Sequence, residues 1–577
     1  MAQLFKPLTG LSLALLLVAC GTTDVKDSPA DVPVADAEVP IEPAKPVPER
    51  AFPAETFYSL MVAELAGNRE RYDIALNNYM QQALSTRDPG VVARATRIAR
   101  FLELRKPSLE MALLWVEIEP ENSEARVIAA SELSEVGRLG EAFDHAAFLA
   151  RQGNPLLLQT VAAYAGKGTD IEREKLLQSL TTLEPTQKSA VEYWMAMALV
   201  QQQVDQLDAA ARSVAKAVAL DDQHLQAQAL QARIRYQQGD QVGALRQMAG
   251  LVDKSPDDQR LRLQYARLLA ATDLAQAADQ FEMLLHNNPG DPDLMLSLAL
   301  IRFEQQDYAA AEPLLMQLME EESRRSTAHY YMARIAQANG DYQDALSHYL
   351  KVELGPDFMP ALVQTLEILV AARELKAANT RMNAVRAKLA GQAERLFALE
   401  AEVYGKYQHY DAAEQVLSSG LTAYPTSTRL LYSRALVNEQ LDRLDLAEQD
   451  LRKVIRYEPN NATALNALGY TLADRTDRYD EAYQLISQAH SLKPGDAAII
   501  DSLGWVHYRL GNYEEALLRL REALQLFPDP EIAAHLGEVL WVTGNQAEAR
   551  AVWASGMALN PQNQVIPDTL RRLGAEL

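Results

Sequence analysis

Cysteine is almost missing: Cys20 is the only one in 577 residues. That excludes an internal disulfide, a zinc ribbon and a Cys-ligated cluster. Positive charge is also scarce. Against 78 Asp and Glu stand only 55 Lys and Arg, for a formal charge of −23. Phosphate binding needs a basic face, so the balance argues against nucleic acid and against electrostatic docking on anionic lipid. Strand patterning is absent from Phe57 onward, where apolar residues follow helical spacing and Gly and Pro fall at turns. The apolar run Leu11 to Ala19 is too short to cross a bilayer, which takes about 20 residues. What is present is a 48% hydrophobic content, enough for a packed core. The length is about four times that of a typical domain, which implies several domains or a repeat array.

Catalytic signatures are missing too. Nine histidines (His145, His224, His286, His329, His348, His409, His490, His507 and His535) are scattered and form no H-E-x-x-H pair. There is no G-x-G-x-x-G, no P-loop and no G-x-S-x-G. Acidic runs such as Glu320-Glu321-Glu322 and Glu514-Glu515 read as solvated helix faces. No catalysis, metal, cofactor or small-molecule substrate is expected.

The first twenty residues, MAQLFKPLTGLSLALLLVAC, place Lys6 before the apolar run and end it at Leu17-Val18-Ala19-Cys20. Length and flanks are those of a signal peptide, and the ending resembles a bacterial lipoprotein signal. That resemblance implies cleavage before Cys20 and acylation of its thiol and new amine. Several acyl chains anchor firmly where one does so only reversibly. Gly21 after the Cys implies the outer membrane, facing the periplasm. Between Gly21 and Pro53, seven prolines from Pro29 to Pro53 alternate with Asp, Glu, Ala and Val. Such a stretch supports neither helix nor sheet. It reads as an acidic tether reaching roughly 90–100 Å, at about 3.1 Å per residue.

The body carries a repeat. Pro425, Pro459, Pro494, Pro528 and Pro561 are spaced by 34, 35, 34 and 33 residues, and twelve residues before each stands an alanine: Ala413, Ala447, Ala482, Ala516 and Ala549. A small residue there lets two helices approach, and the proline ends the second of them. The clearest unit is AIIDSLGWVHYRLGNYEEALLRLREALQLFP, 498–528. Gly504 allows close packing, Gly511 ends the first helix, and Tyr513, Ala516, Leu520 and Ala523 are read as one apolar stripe. With Leu503 and Pro528 these residues resemble the tetratricopeptide repeat (TPR). Upstream the match decays, through Gly340, Tyr342 and Ala345, Tyr308 and Ala311, Gly239 and Ala244, and Trp194 and Ala198, to Gly137 with Ala142 and Tyr72 with Ala75.

The resemblance implies an all-α superhelical solenoid of stacked hairpins. About 15 hairpin slots of roughly 34 residues fit after residue 57, about ten or eleven of them recognisable repeats. The expected division is 1–19 signal peptide, 20–53 acylated Cys and tether, 54–190 degenerate hairpins, 191–392 divergent repeats, 393–561 strong repeats and 562–577 a capping helix. In the family the first helix of each hairpin lines a binding groove at repeat positions 2, 5, 9, 12 and 13. With Ala435, Gly469, Gly504 and Gly537 at position 8, the groove set is Arg429, Tyr432, Asn466, Tyr470, Asp501, Trp505, Tyr508, Arg509, Glu538 and Trp541. Aromatics and Arg are frequent interface anchors, and Asn can both donate to and accept from a peptide backbone. The competing reading is that Trp505 and Trp541 merely pack between neighbouring first helices. Tyr432 and Leu436 stand where a basic carboxylate clamp would need Lys and Asn, so no cytosolic chaperone role is expected.

Leader, tether and repeats together resemble the TPR lipoproteins of Gram-negative outer membranes. More narrowly, they are similar to the lipoprotein partners of the carboxyl-terminal processing protease CtpA. That resemblance implies an adaptor that binds and activates a periplasmic serine protease and delivers substrates such as peptidoglycan hydrolases. A scaffold for outer-membrane polysaccharide export or protein assembly is the alternative. A cell-wall enzyme would need a non-repeat insertion, for which only 57–190 leaves room.

Overall fold

The structure, a computed structural model, describes residues 53–183 and 190–577. The leader, Cys20 and nearly all of the tether lie outside the described residues. Every regular element among the described residues is helical, and no described helix is long and apolar enough to cross a membrane. Among the described residues, fifteen consecutive helix pairs run from Ala54–Gly67 with Tyr72–Thr86 to Pro530–Val542 with Gln546–Leu559, and a last helix, Val565–Leu573, follows. All form antiparallel hairpins except the fourth, whose helices Leu156–Ala163 and Asp170–Thr181 pack on neighbouring helices rather than on each other. The chain divides into two compact units, one through Glu321 and one from Glu322. The first holds eight of these pairs, the second holds seven and the last helix.

One position explains the period. The fourth residue of the second helix is a fully buried alanine in thirteen hairpins, from Ala75 to Ala549, and buried Ser108 takes the slot in the second hairpin. The series includes Ala378, which no periodic proline marks. No larger side chain would let the two helices come as close at their crossing. The partner residue on the first helix is also small. A Cβ on Gly504 would stand 2.7 Å from Leu520 Cγ, and one on Gly469 would stand 2.5 Å from Ile486 Cγ1.

The periodic prolines do more than stop helices. Each of six is followed within two residues by the N-cap of the next hairpin: Asp258 after Pro256, Asp291 after Pro289, Ser427 after Pro425, Asn461 after Pro459, Asp496 after Pro494 and Asp529 after Pro528. Each cap side chain accepts a backbone N–H from the first turn, satisfying a donor the helix leaves open.

The apolar stripe of the 498–528 unit holds for Ala516, Leu520 and Ala523, which are fully buried. Tyr513 departs from it. As the first residue of its helix it is 43% exposed, with its ring 6.1 Å from that of Tyr508. The fourth hairpin is the irregular one: Leu156–Ala163 is short and runs into a 3-10 turn, Tyr164–Lys167. A cluster that includes Leu158, Leu176, Leu180 and Tyr193 packs around it.

Candidate functional site

The second unit gathers a set of aromatic and charged side chains on its first helices. The position-8 glycines Gly469, Gly504 and Gly537 face their own second helices, and positions 5 and 9 of Ala497–Arg509 turn toward the next first helix, as Asp501 and Trp505 show against His535. Asp501 and Trp505 come from Ala497–Arg509, His535 and Glu538 from Pro530–Val542, and Tyr470 from Ala462–Arg475. His535 Nδ1 lies 2.9 and 3.0 Å from the two Asp501 oxygens. Its Nε2 lies 3.3 Å from the Tyr470 hydroxyl, and its ring stacks on Trp505 with centroids 4.3 Å apart. Three hairpins are thereby tied through one imidazole.

The electrostatics follow from the burial. Desolvation opposes a charge on His535, but the Asp501 carboxylate and its hydrogen bond outweigh it and raise the imidazole to about 9. Protonated His535 therefore donates to Asp501 through Nδ1 and to Tyr470 through Nε2. Burial raises the Tyr470 hydroxyl strongly, and Asp474, Glu531, Asp501 and Glu439 add to it. Tyr508 donates to Glu538 Oε1 at 3.4 Å; burial and the Glu538 charge raise it to about 12. Burial also lifts the Glu439 carboxyl, which accepts the Thr471 hydroxyl. Arg572, on the last helix, forks onto both Glu538 oxygens.

The residues expected in the groove divide accordingly. Tyr470, Trp505 and Tyr508 meet, with Trp505 and Tyr508 centroids 5.1 Å apart. Trp505 is only 4% exposed, packed between first helices, yet its Nε1 has no hydrogen-bond partner. Asn466, half-buried, likewise leaves Oδ1 unpartnered. Tyr432 is half-buried in the core that holds Ala435 and Leu468. Arg429 is exposed at the start of Thr428–Gln440. Arg509 reaches back one hairpin, to the Asp474 carbonyl at 3.1 Å and the Tyr479 hydroxyl at 2.7 Å. Trp541 turns to its own hairpin, 5.8 Å from Trp553 and under Arg550.

Sequence reading passed over His535, Glu439, Asp474 and Glu531. A signal for each was available. His535 follows Asp501 by 34 residues, one repeat, which sets them side by side on adjacent helices. Glu439, Asp474 and Glu531 occupy positions 12, 13 and 2 of the same numbering. The chain also carries one S-x-x-K, Ser213 to Lys216. It is not a catalytic pair. Ser213 is buried and donates to Gln201 at 2.7 Å, while Lys216 lies 4.0 Å over the Trp194 ring. No group of three or more metal-ligating side chains occurs among the described residues.

Comparison with known proteins places these helices among repeat proteins. A tetratricopeptide repeat model matches residues 267–324, 304–357, 442–497 and 502–563. The TPR repeat-containing protein PA4667 of Pseudomonas aeruginosa is 38% identical over 534 residues, 92% of this chain and 90% of that protein. Bacteriophage adsorption protein A of Escherichia coli is 28% identical over 202 residues, 33% of this chain and 19% of that one. Among solved structures, the APC/C hetero-tetramer Cut9–Hcn1 aligns over 90% of this chain and 96% of its own, with 13% identity and a TM-score of 0.32.

Proposed function

Since the chain belongs to the tetratricopeptide-repeat protein family that includes PA4667, we propose that it is a lipid-anchored periplasmic adaptor for protein partners. The observation that carries the binding role is the first-helix face of the last four hairpins. Aromatic rings and charges are fixed there by one another, and two polar atoms, Asn466 Oδ1 and Trp505 Nε1, are left without partners. Unused hydrogen-bonding capacity beside rigid rings suits a polypeptide better than a small metabolite.

The anchor rests on Cys20 and the leader, and the tether would hold the repeat body near the outer membrane. The partner is read as a carboxyl-terminal processing protease, with peptidoglycan hydrolases as substrates. The chemistry would belong to the protease. This chain would raise the local concentration of protease and substrate, and would activate the protease only by binding its active state more tightly. Family resemblance supports this reading, through the order of leader, acidic tether and repeats.

The test is an affinity capture of the tagged protein from detergent-solubilised envelopes, with mass spectrometry of what is recovered. A processing protease with cell-wall hydrolases is the expected catch. An export or assembly complex without a protease would replace the adaptor by a scaffold of that machine.

A further inference from the structure

Five carboxylates occupy the partner-facing positions of the last four first helices: Glu439, Asp474, Asp501, Glu531 and Glu538. Two are neutralised internally, Asp501 by His535 and Glu538 by Arg572. Glu439, Asp474 and Glu531 form no ion pair with a described residue. All three act on Tyr470, and Glu531 and Asp474 also act on His535, so they converge on one place. Of the bases near this cluster, Arg509 spends its guanidinium on the Asp474 carbonyl and Tyr479, and Arg475 pairs with Asp442. Arg475 acts on Glu439, His535 on Glu531 and Arg572 on Asp474 through space, but the five carboxylates outnumber the two cations that pair with them, so the region keeps a net negative charge beside Tyr470.

A second observation points to a ligand at the same place. Trp505 is almost wholly buried, and its ring is held against His535 and Tyr508. A buried N–H without an acceptor is a costly arrangement, and Trp505 Nε1 has none. Asn466 Oδ1 offers the complementary acceptor one hairpin away. An extended backbone supplies both a carbonyl and an N–H, and carboxylates beside aromatic faces favour ammonium or guanidinium groups.

We propose that this face holds an extended polypeptide segment rich in Lys or Arg. Its cations lie among Glu439, Asp474, Glu531 and the ring of Tyr470, and its backbone reaches Asn466 and Trp505 as these side chains turn outward, since Oδ1 and Nε1 are both buried in the free protein. The inference rests on the adaptor reading and names the chemistry of what the adaptor selects: basic segments are taken and acidic ones refused. It is the reverse of a groove that grips a terminal carboxylate with basic residues.

Fluorescence anisotropy of the full-length protein with three labelled peptides of about twelve residues is the deciding experiment. One peptide alternates Lys with Ser, one Gln with Ser and one Glu with Ser. Only the Lys peptide is expected to bind saturably, with affinity falling as salt rises. The double variant Glu439→Gln, Asp474→Asn keeps side-chain shape and should weaken that binding roughly tenfold; Trp505→Phe should weaken it while leaving an aromatic ring in place. Equal binding of the Gln peptide, or binding unaffected by the double variant, overturns the proposal. So does calcium binding without any peptide binding, which would make the carboxylates a cation site. If the double variant fails to fold, the charge series and salt dependence of the unmodified protein decide between acceptance and rejection. Envelope capture separates the two readings: a protease recovered by a protein that ignores the Lys peptide leaves the adaptor standing and removes this selectivity.

Discussion

Trp553 occupies the space that a side chain on Gly537 would need. A methyl group at 537 would overlap the indole around Nε1, and Trp553 is fully buried with that nitrogen donating to the Ala534 carbonyl at 3.3 Å. The last hairpin thus exchanges a side chain on its first helix for a large ring on its second. Gly537→Ala is expected to cost about 1–3 kcal/mol, the usual range for overpacking, measured as a lower urea midpoint. Gly504→Ala meets the more adaptable Leu520 and should cost less. A midpoint unchanged by Gly537→Ala would mean that the ring has room to shift.

The hairpin turns carry the second prediction. Twelve of the fifteen place a residue at positive φ just past the first helix. Gly137, Gly239, Gly340, Gly511 and Gly544 do so without strain, but seven turns use Glu70, Glu103, Asp205, Gln306, Arg373, Gln408 and Asp442, at φ of 55–62°. A side chain in that conformation costs about 1–2 kcal/mol. Gln408→Gly is therefore expected to stabilise the second unit, by up to about 1 kcal/mol once the added freedom of the unfolded chain is counted. A lower melting temperature would show that Gln408 makes contacts outweighing its strain.

The same turns explain what was legible in the sequence. Fold class and the number of hairpins were readable because the alanine at the helix crossing and the proline after the second helix answer to steric demands that few residues meet. Glycine marks only five of these turns and a side chain stands at the same positive φ in seven, Gln408 and Asp442 of the strong repeats among them, so the turn residue is a weaker marker of the hairpin than the alanine and proline. The aromatic side chains could be placed on one face by position counting. Their partners could not, since Trp541 turns to Trp553 and Trp505 to His535 by packing choices that periodicity does not encode.

Two histidines give opposite pH dependences. His535 is raised to about 9, with Asp501, Glu531 and Asp474 overcoming its burial. The folded state then holds a proton that the unfolded chain releases above about 6.5. The stabilisation is complete below that pH and is lost as pH rises through about 9, for a total of about 3 kcal/mol. His329 is lowered to about 4 by burial, with His348, Lys351 and Arg325 adding to the effect, and its Nδ1 lies 2.9 Å from His348 Nδ1. Here the unfolded chain binds the extra proton, so stability falls as pH drops from about 6.5 toward 4. Urea titrations across pH should show His535→Gln flattening the alkaline limb and His329→Gln the acid limb. Identical profiles in variant and parent would remove the assignment.

The proposed lipid anchor is tested by Cys20→Ala. The repeat body should keep its helical circular dichroism and melting temperature while moving from the membrane pellet to the soluble periplasmic fraction, since firm attachment needs the acyl chains. A variant still found in the membrane fraction would assign attachment to a protein partner or to an uncleaved leader.

The buried pair Arg386–Glu400 sets the largest expected loss. Glu400 is fully buried and accepts from Arg386 at 2.7 Å, Asn379 at 3.0 Å and the Tyr404 hydroxyl at 2.9 Å. Arg386 is 7% exposed, with its guanidinium 4.1 Å over the Phe397 ring. Removing the acid alone strands a buried cation and takes the acceptor from Asn379, while the Tyr404 hydroxyl keeps the Leu375 carbonyl at 3.1 Å, so Glu400→Ala should cost about 3–5 kcal/mol. Replacing both partners by apolar residues removes the stranded charge together with its desolvation cost. Glu400→Leu with Arg386→Met should therefore recover most of the loss in urea unfolding. Failure of the double variant to recover would mean that the polar network fixes the packing of helices Leu375–Lys388 and Ala393–Lys406, which a nonspecific apolar contact would not replace.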